Sequence, residues 1–353
     1  MVDLRDLGWD DSWEVAFHPH RTSGLLPARV ALEDKNAYAV VGEAGEWPAR
    51  VAGRLLQNTP RDAFPKVGDW VAVAKKPADT RAVIHAVLSR RTVFTRKITG
   101  REAAPQVLAA NIDVAFIVQA LDETFNPRRL ERFLVMAHEG GSEAVVLLNK
   151  ADLCDDLSAR LAETHAVSGS TKVLILSGKT RLGLGELRRC LAPGRTCAFI
   201  GTSGAGKSTL INRLYGEAIL PTLEVREHDS KGRHSTAWRE MILLPGGGLV
   251  IDTPGMREFH LWHADGGLAE AFPDVAALAV QCHFRACTHT TEKRCAVLAA
   301  LTNGTLSGQR FDSFKKLRQE LDSLATARRE NGYLRNRRHA GNLRRLAAEG
   351  PFE

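Results

Sequence analysis

The spacing of apolar residues divides the chain into a strand-rich first part and an alternating second part. Between residues 26 and 105, short apolar stretches are separated by turn signals such as Glu33-Asp34-Lys35-Asn36. The predicted strands are Ala28–Leu32, Ala37–Val41, Trp47–Leu55, Trp70–Ala74 and Ala82–Leu88. This series of short strands predicts a small barrel of the OB-fold or SH3-like type.

From about residue 110, apolar stretches alternate with segments of helical periodicity. The predicted strands are Ile112–Ala120, Ala144–Leu148, Lys172–Leu176, Thr196–Ile200, Met241–Leu244 and Leu249–Ile251. The predicted helices are Pro127–His138, Asp155–Glu163, Leu184–Leu191 and Lys207–Leu214. This alternation predicts an α/β domain, in which helices cover both faces of a parallel sheet.

These patterns predict a multidomain chain. We expect an arm at residues 1–25, a barrel at 26–105, an α/β domain at 106–265 and a helical region at 266–353. The helical region carries a cluster of Cys and His residues and ends in a basic tail.

Composition excludes several classes of protein. The chain has 353 residues, of which 44% are hydrophobic and 25% charged, which excludes fibrous and wholly disordered chains. No apolar run is long enough to span a membrane, and residues 1–6 do not resemble a secretory signal. We therefore expect a cytoplasmic protein without a membrane partner.

The net charge of +7 is concentrated in the tail. Ten Lys and Arg residues between 315 and 345 oppose three acidic residues, which leaves +7. They are Lys315, Lys316, Arg318, Arg328, Arg329, Arg335, Arg337, Arg338, Arg344 and Arg345. Such a run is either a solvated helix face or a surface for a polyanion such as RNA. The barrel adds Arg90, Arg91, Arg96, Lys97 and Arg101.

A glycine-rich segment between a predicted strand and a predicted helix fits the phosphate-loop pattern G-x-x-x-x-G-K-S/T. It comprises Gly201, Thr202, Ser203, Gly204, Ala205, Gly206, Lys207, Ser208 and Thr209. Its backbone amides and the following helix N-terminus can bind phosphate. Lys207 would reach the β- and γ-phosphates, and Ser208 would ligate Mg²⁺.

Asp252-Thr253-Pro254-Gly255 follows another predicted strand. Asp252 can hold Mg²⁺ through water, and the amide of Gly255 can contact a γ-phosphate. Alone, this pattern is uninformative, because Asp-x-x-Gly is common by chance. Its position after a strand, downstream of a phosphate loop, favours the functional interpretation.

Asn149-Lys150-Ala151-Asp152, at the end of a predicted strand, indicates a guanine site. The Asp152 carboxylate can accept hydrogen bonds from guanine N1 and the 2-amino group, a donor pair that adenine lacks. Lys150 can lie over the base, and Asn149 can connect loops. Ser177, Gly178 and Lys179 follow the next strand, where a backbone amide could meet the guanine O6. The alternative is a polar turn with a helix cap.

The motifs occur in an unusual order, with the base motif before the phosphate loop. Moving the first strand–helix units of a domain to the other end of its sequence leaves the three-dimensional site unchanged. The motif order therefore indicates circular permutation. Together with the metal cluster described below, it makes the chain resemble the circularly permuted, small-ribosomal-subunit-dependent GTPases, the RsgA/YjeQ family. The resemblance covers nearly the whole chain and implies an OB-fold for the barrel, in which residues 65–71 look like a family segment.

Gly232-Arg233-His234-Ser235-Thr236 lies between the phosphate loop and the strand before Asp252. A Thr here could complete Mg²⁺ coordination when a γ-phosphate is present. The family usually has Thr at the position of Ser235, so we assign the ligand to Thr236, with Ser235 as the alternative. Met256 occupies the position at which many GTPases orient water with Gln. We therefore expect His234 to be the catalytic residue, a choice that the resemblance supports.

Cys282, Cys287, His289 and Cys295 offer three thiolates and an imidazole within 14 residues. Such a set favours one structural, tetrahedral Zn²⁺ over buried Cys residues with a solvated His. The resemblance implies that the imidazole ligand is His289 and not His283.

The resemblance implies a monomeric GTP phosphohydrolase that binds GTP and GDP, is stimulated by the small ribosomal subunit, binds its rRNA and acts late in its maturation. One alternative is an RNA-binding or RNA-chaperone module that GTP gates with little turnover. Another is a small-molecule kinase that uses ATP in the same loop.

Overall fold

The computed structural model describes residues 2–34, 37–76, 79–97, 105–220, 239–252, 266–323 and 325–326. Within these ranges the chain forms a barrel, an α/β sheet and a helical C-terminal region, which confirms the predicted multidomain architecture. No helix in the described ranges has both the length and the apolar character needed to cross a membrane.

The predicted arm contains a helix, α1 (Asp11–Arg21). Asp10 caps it by accepting hydrogen bonds from the amides of Ser12 and Trp13. Ion pairing with Arg91 lowers the pKa of Asp10 below its usual range. The apolar side of the arm is buried, and its Trp9 ring lies edge-on to Trp70 of the barrel at 4.7 Å. The arm therefore packs against the barrel.

Five strands close the predicted barrel. They are β1 (Leu26–Asp34), β2 (Ala37–Gly42), β3 (Gly45–Val51), β4 (Trp70–Ala74) and β5 (Ala82–Val87). Their order is β1-β2-β3-β5-β4, and β4 pairs back with β1. The β3–β5 pair is parallel and the other pairs are antiparallel. Closure leaves no unpaired edge in the ring, as in an OB-type barrel.

The prediction of one strand over Trp47–Leu55 is wrong in its second half. Strand β3 ends at Val51, and helix α2 (Gly53–Asn58) follows. The carbonyl of Ala52 accepts hydrogen bonds from the amides of Leu55 and Leu56, which turns the chain into a helix. The apolar residues at 55 and 56 fit either structure, so periodicity alone did not separate them.

Two further strands, β6 (Val93–Lys97) and β7 (Pro105–Ala110), form an antiparallel ribbon that the sequence did not predict. The ribbon connects the barrel to the α/β sheet. Gly68 lies against it, because a Cβ at this position would be 2.1 Å from the Ala110 carbonyl oxygen. With φ at 91°, Gly68 also has a backbone conformation that favours glycine.

The α/β part of the sheet has the predicted alternation of strands and helices. Its strands are β8 (Val114–Ala120), β9 (Glu143–Asn149), β10 (Lys172–Ile175), β11 (Thr196–Ile200), β12 (Arg239–Leu243) and β13 (Leu249–Asp252). Its helices are α3 (Pro127–Glu139), α4 (Leu157–Ser168), α5 (Leu184–Arg189) and α6 (Lys207–Tyr215). The strand order is β10-β9-β8-β11-β13-β12, with β12 antiparallel to β13 and the other pairs parallel.

The barrel and the α/β sheet are joined by hydrogen bonds between strands. Strand β1 of the barrel pairs with the edge strand β12, placing Leu32 opposite Glu240. Strand β12 pairs in turn with β13, which ends at Asp252. One continuous sheet therefore runs from the barrel to the strand that carries a predicted phosphate-site residue.

The C-terminal region contains α7 (Gly267–Ala271), α8 (Pro273–Ala279), α9 (Ala296–Thr302) and a helix over 308–323. An ion-pair network connects this region to α3. Arg310 donates to Glu131 at 2.9 Å and to Asp274 at 3.0 Å, and its guanidinium lies 4.2 Å from the Phe272 ring centroid. Glu131 is only 1% exposed, and it pairs with Arg310 at 2.9 Å and with Arg128 at 3.0 Å, so two arginines compensate this buried carboxylate.

Because Arg310→Met removes a charged hydrogen-bond partner from the buried Glu131 but leaves its ion pair with Arg128, we expect it to lower the free energy of unfolding by about 2 kcal/mol, measured by urea unfolding. Arg318→Met is the control, since Arg318 and its partner Asp322 are both exposed. That control should change the stability by less than about 0.5 kcal/mol. Equal urea midpoints for Arg310→Met and the unmodified protein would contradict the stabilising role of the network.

Candidate functional site

The predicted nucleotide motifs meet at one edge of the α/β sheet. Strands β8, β9, β10, β11 and β13 are parallel, so their carboxyl ends lie on the same side. The phosphate loop follows β11, the Asn149 motif ends β9, and Asp252 ends β13. Residues more than 100 positions apart in sequence therefore converge, as is usual for ligand sites in open α/β sheets.

Two glycines of the phosphate loop lie so close to neighbouring segments of the protein that neither position has room for a side chain. A Cβ at Gly201 would be 2.4 Å from the Val118 carbonyl oxygen, and a Cβ at Gly206 would be 2.2 Å from Asn149 Nδ2. Their φ angles are 147° and 94°. The loop needs glycine at both positions for steric and conformational reasons.

Lys207 begins helix α6, and its side chain folds back over the loop. Its Nζ donates to the carbonyl oxygens of Gly201 at 2.8 Å and Thr202 at 2.6 Å. The ammonium group is therefore held inside the ring of backbone that a phosphate would enter. The N-terminus of α6 adds amide donors and a positive dipole end at the same place.

Asn149 connects three loops. Its Nδ2 donates to the Ala205 carbonyl oxygen at 2.8 Å, and its Oδ1 accepts from the Gly178 amide at 3.1 Å. The side chain is 2% exposed, so both bonds are shielded from water. The base motif, the phosphate loop and the Ser177–Gly178 segment are thus fixed relative to one another.

Asp152 lies in a 3₁₀ turn, Ala151–Leu153, and is exposed. Its Oδ1 accepts a hydrogen bond of 2.5 Å from Ser177 Oγ, and that hydroxyl accepts one of 3.0 Å from the Thr180 amide. Ser177 is fully buried. A buried hydroxyl therefore orients an exposed carboxylate, the arrangement required to present Asp152 to a base.

Sequence reasoning missed Arg213, which supports the Ser177–Gly178 segment. Its Nε donates to the Gly178 carbonyl oxygen at 3.0 Å from helix α6. A Cβ at Gly178 would be 3.1 Å from Thr209 Cγ2, so the segment also packs closely against the start of that helix. No sequence motif pointed to Arg213, because a single arginine on a helix looks like any other solvent-exposed arginine.

Asp252 is partly buried at the end of β13, opposite Glu240 on β12. Burial raises the pKa of Glu240, and the charges of Glu46 and Asp252 raise it further. The charge of Asp252 therefore acts on Glu240 across the β12–β13 pair. The predicted residues Gly255, His234, Ser235, Thr236 and Met256 lie outside the described residues.

The four predicted metal ligands form a compact cluster, with ligand atoms all within 4.8 Å of one another. Cys282 Sγ lies 3.8 Å from Cys295 Sγ, which excludes a disulfide, and 3.6 Å from His289 Nδ1. His289 Nδ1 lies 3.4 Å from Cys295 Sγ. A tetrahedral zinc site with typical bond lengths has edges of about 3.8 Å (S to S) and 3.6 Å (S to N). The donor set therefore fits Zn²⁺.

The chain around the cluster is shaped to bring the ligands together. The His283 amide donates to the Arg294 carbonyl oxygen, which joins the two cysteine-bearing loops. His289 itself has a φ of 59° and is 5% exposed. His283 is exposed and its ring packs edge-on against Phe284, outside the cluster. This placement agrees with the preference for His289.

The predicted basic surface on the barrel is partly used inside the protein. Arg90 is 13% exposed in its side chain and forms an ion pair of 2.8 Å with the buried Asp69. Arg91 pairs with Asp10 and lies 4.1 Å from the Trp13 ring centroid. Arg90 therefore joins segments within the barrel, and Arg91 joins the barrel to the arm. Arg101, the side chains of Arg96 and Lys97, and residues 327–353 of the tail lie outside the described residues.

Fold and site together define a class of protein. A parallel sheet with a phosphate loop after β11 and a guanine-type carboxylate after β9 is a P-loop GTPase domain with permuted motif order. The match of the RsgA GTPase family to residues 87–262 covers this domain. The chain belongs to the RsgA GTPase family, a family of GTP-hydrolysing enzymes.

Relatives of known name match most of the chain. One is the small ribosomal subunit biogenesis GTPase RsgA of Opitutus terrae, 48% identical over 329 residues that cover 90% of each chain. Another is the protein of that name from Syntrophotalea carbinolica, 42% identical over 91% of this chain and 90% of the relative.

Solved structures also match the fold. The crystal structure of YjeQ from Thermotoga maritima has a TM-score of 0.64 and 26% identity, and the match covers 84% of this chain and 98% of that one. The structure of YloQ, described as a circularly permuted GTPase, has a TM-score of 0.61 and 23% identity, covering 85% of this chain and 96% of the other. The permuted architecture is therefore shared.

Proposed function

We propose that this protein is a Mg²⁺-dependent GTPase that acts in the late maturation of the small ribosomal subunit, binds its rRNA and is stimulated by it. The observation that carries the GTPase part is the position of Asn149. The buried side-chain amide of Asn149 forms hydrogen bonds with the phosphate loop and with the Gly178 segment. The phosphate site and the base site are therefore held at a fixed separation. The names of the Opitutus and Syntrophotalea relatives support the ribosomal part.

Recognition of guanine rests on the carboxylate of Asp152, which Ser177 orients. Guanine offers N1-H and a 2-amino group to that carboxylate, whereas adenine offers no such pair. Lys150 would contact the plane of the base, and a backbone amide of the Ser177–Lys179 segment would face its O6 side, while the Gly178 amide remains bonded to Asn149. The phosphate loop amides and Lys207 would bind the β- and γ-phosphates.

Hard oxygen donors at the same sheet edge fit Mg²⁺. Ser208 at the start of α6 and Asp252 at the end of β13 would hold it, with Thr236 as a further ligand when GTP is bound. Bound Mg²⁺ would neutralise negative charge on the β- and γ-phosphates. His234 would orient the attacking water by a hydrogen bond, and it need not be a strong base to do so.

A zinc ion held by Cys282, Cys287, His289 and Cys295 would stabilise the C-terminal region. All four positions of a tetrahedral ion would be filled by protein, so the ion would be structural. The stable zinc-binding region would position the neighbouring basic tail for binding to rRNA. The barrel would bind rRNA as well. We further propose that the protein is a cytoplasmic monomer, since the ribosomal subunits on which it would act are in the cytoplasm.

Because metal binding contributes to folding free energy, we expect Cys287→Ala to lower the zinc content and the thermal unfolding midpoint together. Zinc is measured by elemental analysis and unfolding by calorimetry. Cys154→Ala is the control, since Cys154 is a half-buried cysteine outside the cluster, and it should keep full zinc content. Purified unmodified protein without zinc would contradict the proposal.

Nucleotide competition tests the proposed base specificity. Labelled GTP is bound to the protein and displaced with unlabelled GTP, GDP, ATP or inosine triphosphate, which lacks the 2-amino group. We expect GTP and GDP to displace it, ITP to do so weakly and ATP to fail even in large excess. Displacement by ATP as effective as by GTP would favour the kinase alternative.

A further inference from the structure

We propose that Asp122 is a positioning residue for nucleotide binding, which holds the side chain of Lys150 in place as one wall of the guanine pocket. The inference deepens the proposed function and rests on it. Asp122 lies in none of the nucleotide motifs found in the sequence. It follows strand β8, next to the strand that carries the Asn149 motif.

Lys150 and Asp122 form a close ion pair. Lys150 Nζ donates to Asp122 Oδ2 at 2.7 Å, and the two side chains are 31% and 23% exposed. Burial raises the pKa of Asp122, but hydrogen bonds from Lys150 and Thr124 outweigh this effect and lower the pKa to about 2. The carboxylate therefore stays ionised, and the ion pair persists, throughout the neutral pH range.

The carboxylate is fixed by its own loop, independently of Lys150. Asp122 Oδ1 accepts hydrogen bonds from the Thr124 amide at 2.9 Å and from Thr124 Oγ1 at 2.6 Å. The Phe125 amide donates to the Asp122 carbonyl oxygen, which closes a turn. One carboxylate oxygen thus anchors the residue, while the other receives the lysine.

The backbone brings the two loops side by side. The Leu121 amide donates to the Asn149 carbonyl oxygen at 2.8 Å, so the chain leaving β8 is tied to the chain leaving β9. Lys150 then adopts φ 65° and ψ 35°, a left-handed conformation that is uncommon for a residue with a side chain. The left-handed backbone of Lys150 and the hydrogen bond between the two loops together place its side chain where Nζ reaches Asp122.

A free lysine side chain has many rotamers, and ordering it when a ligand binds costs conformational entropy. If the side chain is already held in one rotamer, the free energy of nucleotide binding no longer includes this cost. Lys150 neighbours Asp152, whose carboxylate would contact the base edge. Fixing the stem of Lys150 would pre-form the surface against which the base plane stacks. The gain applies equally to GTP and GDP, because both carry the same base.

Asp122→Asn should therefore weaken GTP and GDP binding alike, by about 3- to 10-fold, as expected for releasing one long side chain. The turnover number at saturating GTP should not change, while KM for GTP rises. Affinity is measured with a fluorescent guanine nucleotide, and turnover by phosphate release. A mere loss of folding stability would lower the unfolding midpoint and would not separate KM from kcat in this way.

Two further variants sharpen the test. Thr124→Val removes one of the two bonds on Asp122 Oδ1 and should have a smaller effect, of about 2-fold. Glu123→Gln removes an exposed neighbouring charge and should leave affinity unchanged. A double-mutant cycle with Lys150→Met isolates the pair, and in that background Asp122→Asn should cost nothing further.

Unchanged GTP and GDP affinities for Asp122→Asn would overturn the inference, as would an equal loss in the Lys150→Met background. The proposed function is tested separately by Asp152→Asn in the same assay. If Asp152→Asn loses guanine binding and Asp122→Asn does not, only the positioning role fails. If neither variant changes affinity, the guanine site itself is wrongly assigned.

Discussion

Replacing Asp152 with asparagine is expected to weaken GTP binding by about 100-fold and to improve binding of xanthosine triphosphate. The exposed carboxylate held by Ser177 accepts two hydrogen bonds from guanine in the proposed site. An asparagine amide would face the guanine 2-amino group with a donor of its own. Xanthine carries an oxygen there, and the amide can donate to it.

The measurement is competition of GTP and xanthosine triphosphate for the same fluorescent nucleotide. Asp155→Asn is the matched control, since Asp155 is an exposed aspartate three positions further along, and its nucleotide preference should be that of the unmodified protein. Asp152→Asn with full GTP affinity would remove Asn149–Asp152 from the base site.

We expect His234→Ala to reduce subunit-stimulated GTP turnover by roughly 10- to 1000-fold, the range for one positioned catalytic group. Met256 cannot orient the attacking water, and His234 lies in the segment expected to order over the γ-phosphate. Because its role is in hydrolysis, GTP affinity should stay within about threefold of the unmodified value. The variant should also remain longer on the small subunit in the presence of GTP.

Turnover is measured by phosphate release with purified small subunits, and affinity with a fluorescent nucleotide. His165→Ala serves as the control, since His165 is an exposed residue on α4, and it should behave like the unmodified protein. A wild-type stimulated rate in His234→Ala would exclude His234 and favour a group supplied by the ribosome.

The α/β half of the fold was predictable because local and global signals agree there. Strands β8, β9 and β11 are runs of mostly buried apolar residues, and the helix after β8 has its own start signal. Asn126 before Pro127 caps helix α3 through its side chain. Predicted and observed boundaries for α3 and α6 differ by one residue at their ends.

The barrel was harder, because its strands are short and its turns resemble one another. The stretch from Trp47 to Leu55 reads as one apolar segment, although the backbone turns into a helix after Ala52. The β6–β7 ribbon was missed since its pairing depends on contacts with the α/β domain. Val93 donates to the Gly140 carbonyl oxygen at the end of α3, a contact with no local sequence signal.

The candidate site divides in the same way. Residues that touch the nucleotide in the proposal belong to short motifs whose chemistry requires particular side chains, so Lys207 and Asp152 could be named in advance. Residues that support them act through backbone carbonyls or a single ion pair, as Arg213 and Asp122 do. Many residue types could serve at such positions, and only the three-dimensional contacts identify them.

Steady-state GTP hydrolysis, measured with and without purified small ribosomal subunits, tests the central claim most directly. The account predicts slow turnover by the protein alone, because the usual water-orienting Gln is replaced by Met256. It predicts a large, saturable increase when small subunits are added, and no such increase with ATP as substrate. Turnover that stays slow at saturating small subunits would contradict the account and favour an RNA-binding module that GTP only gates.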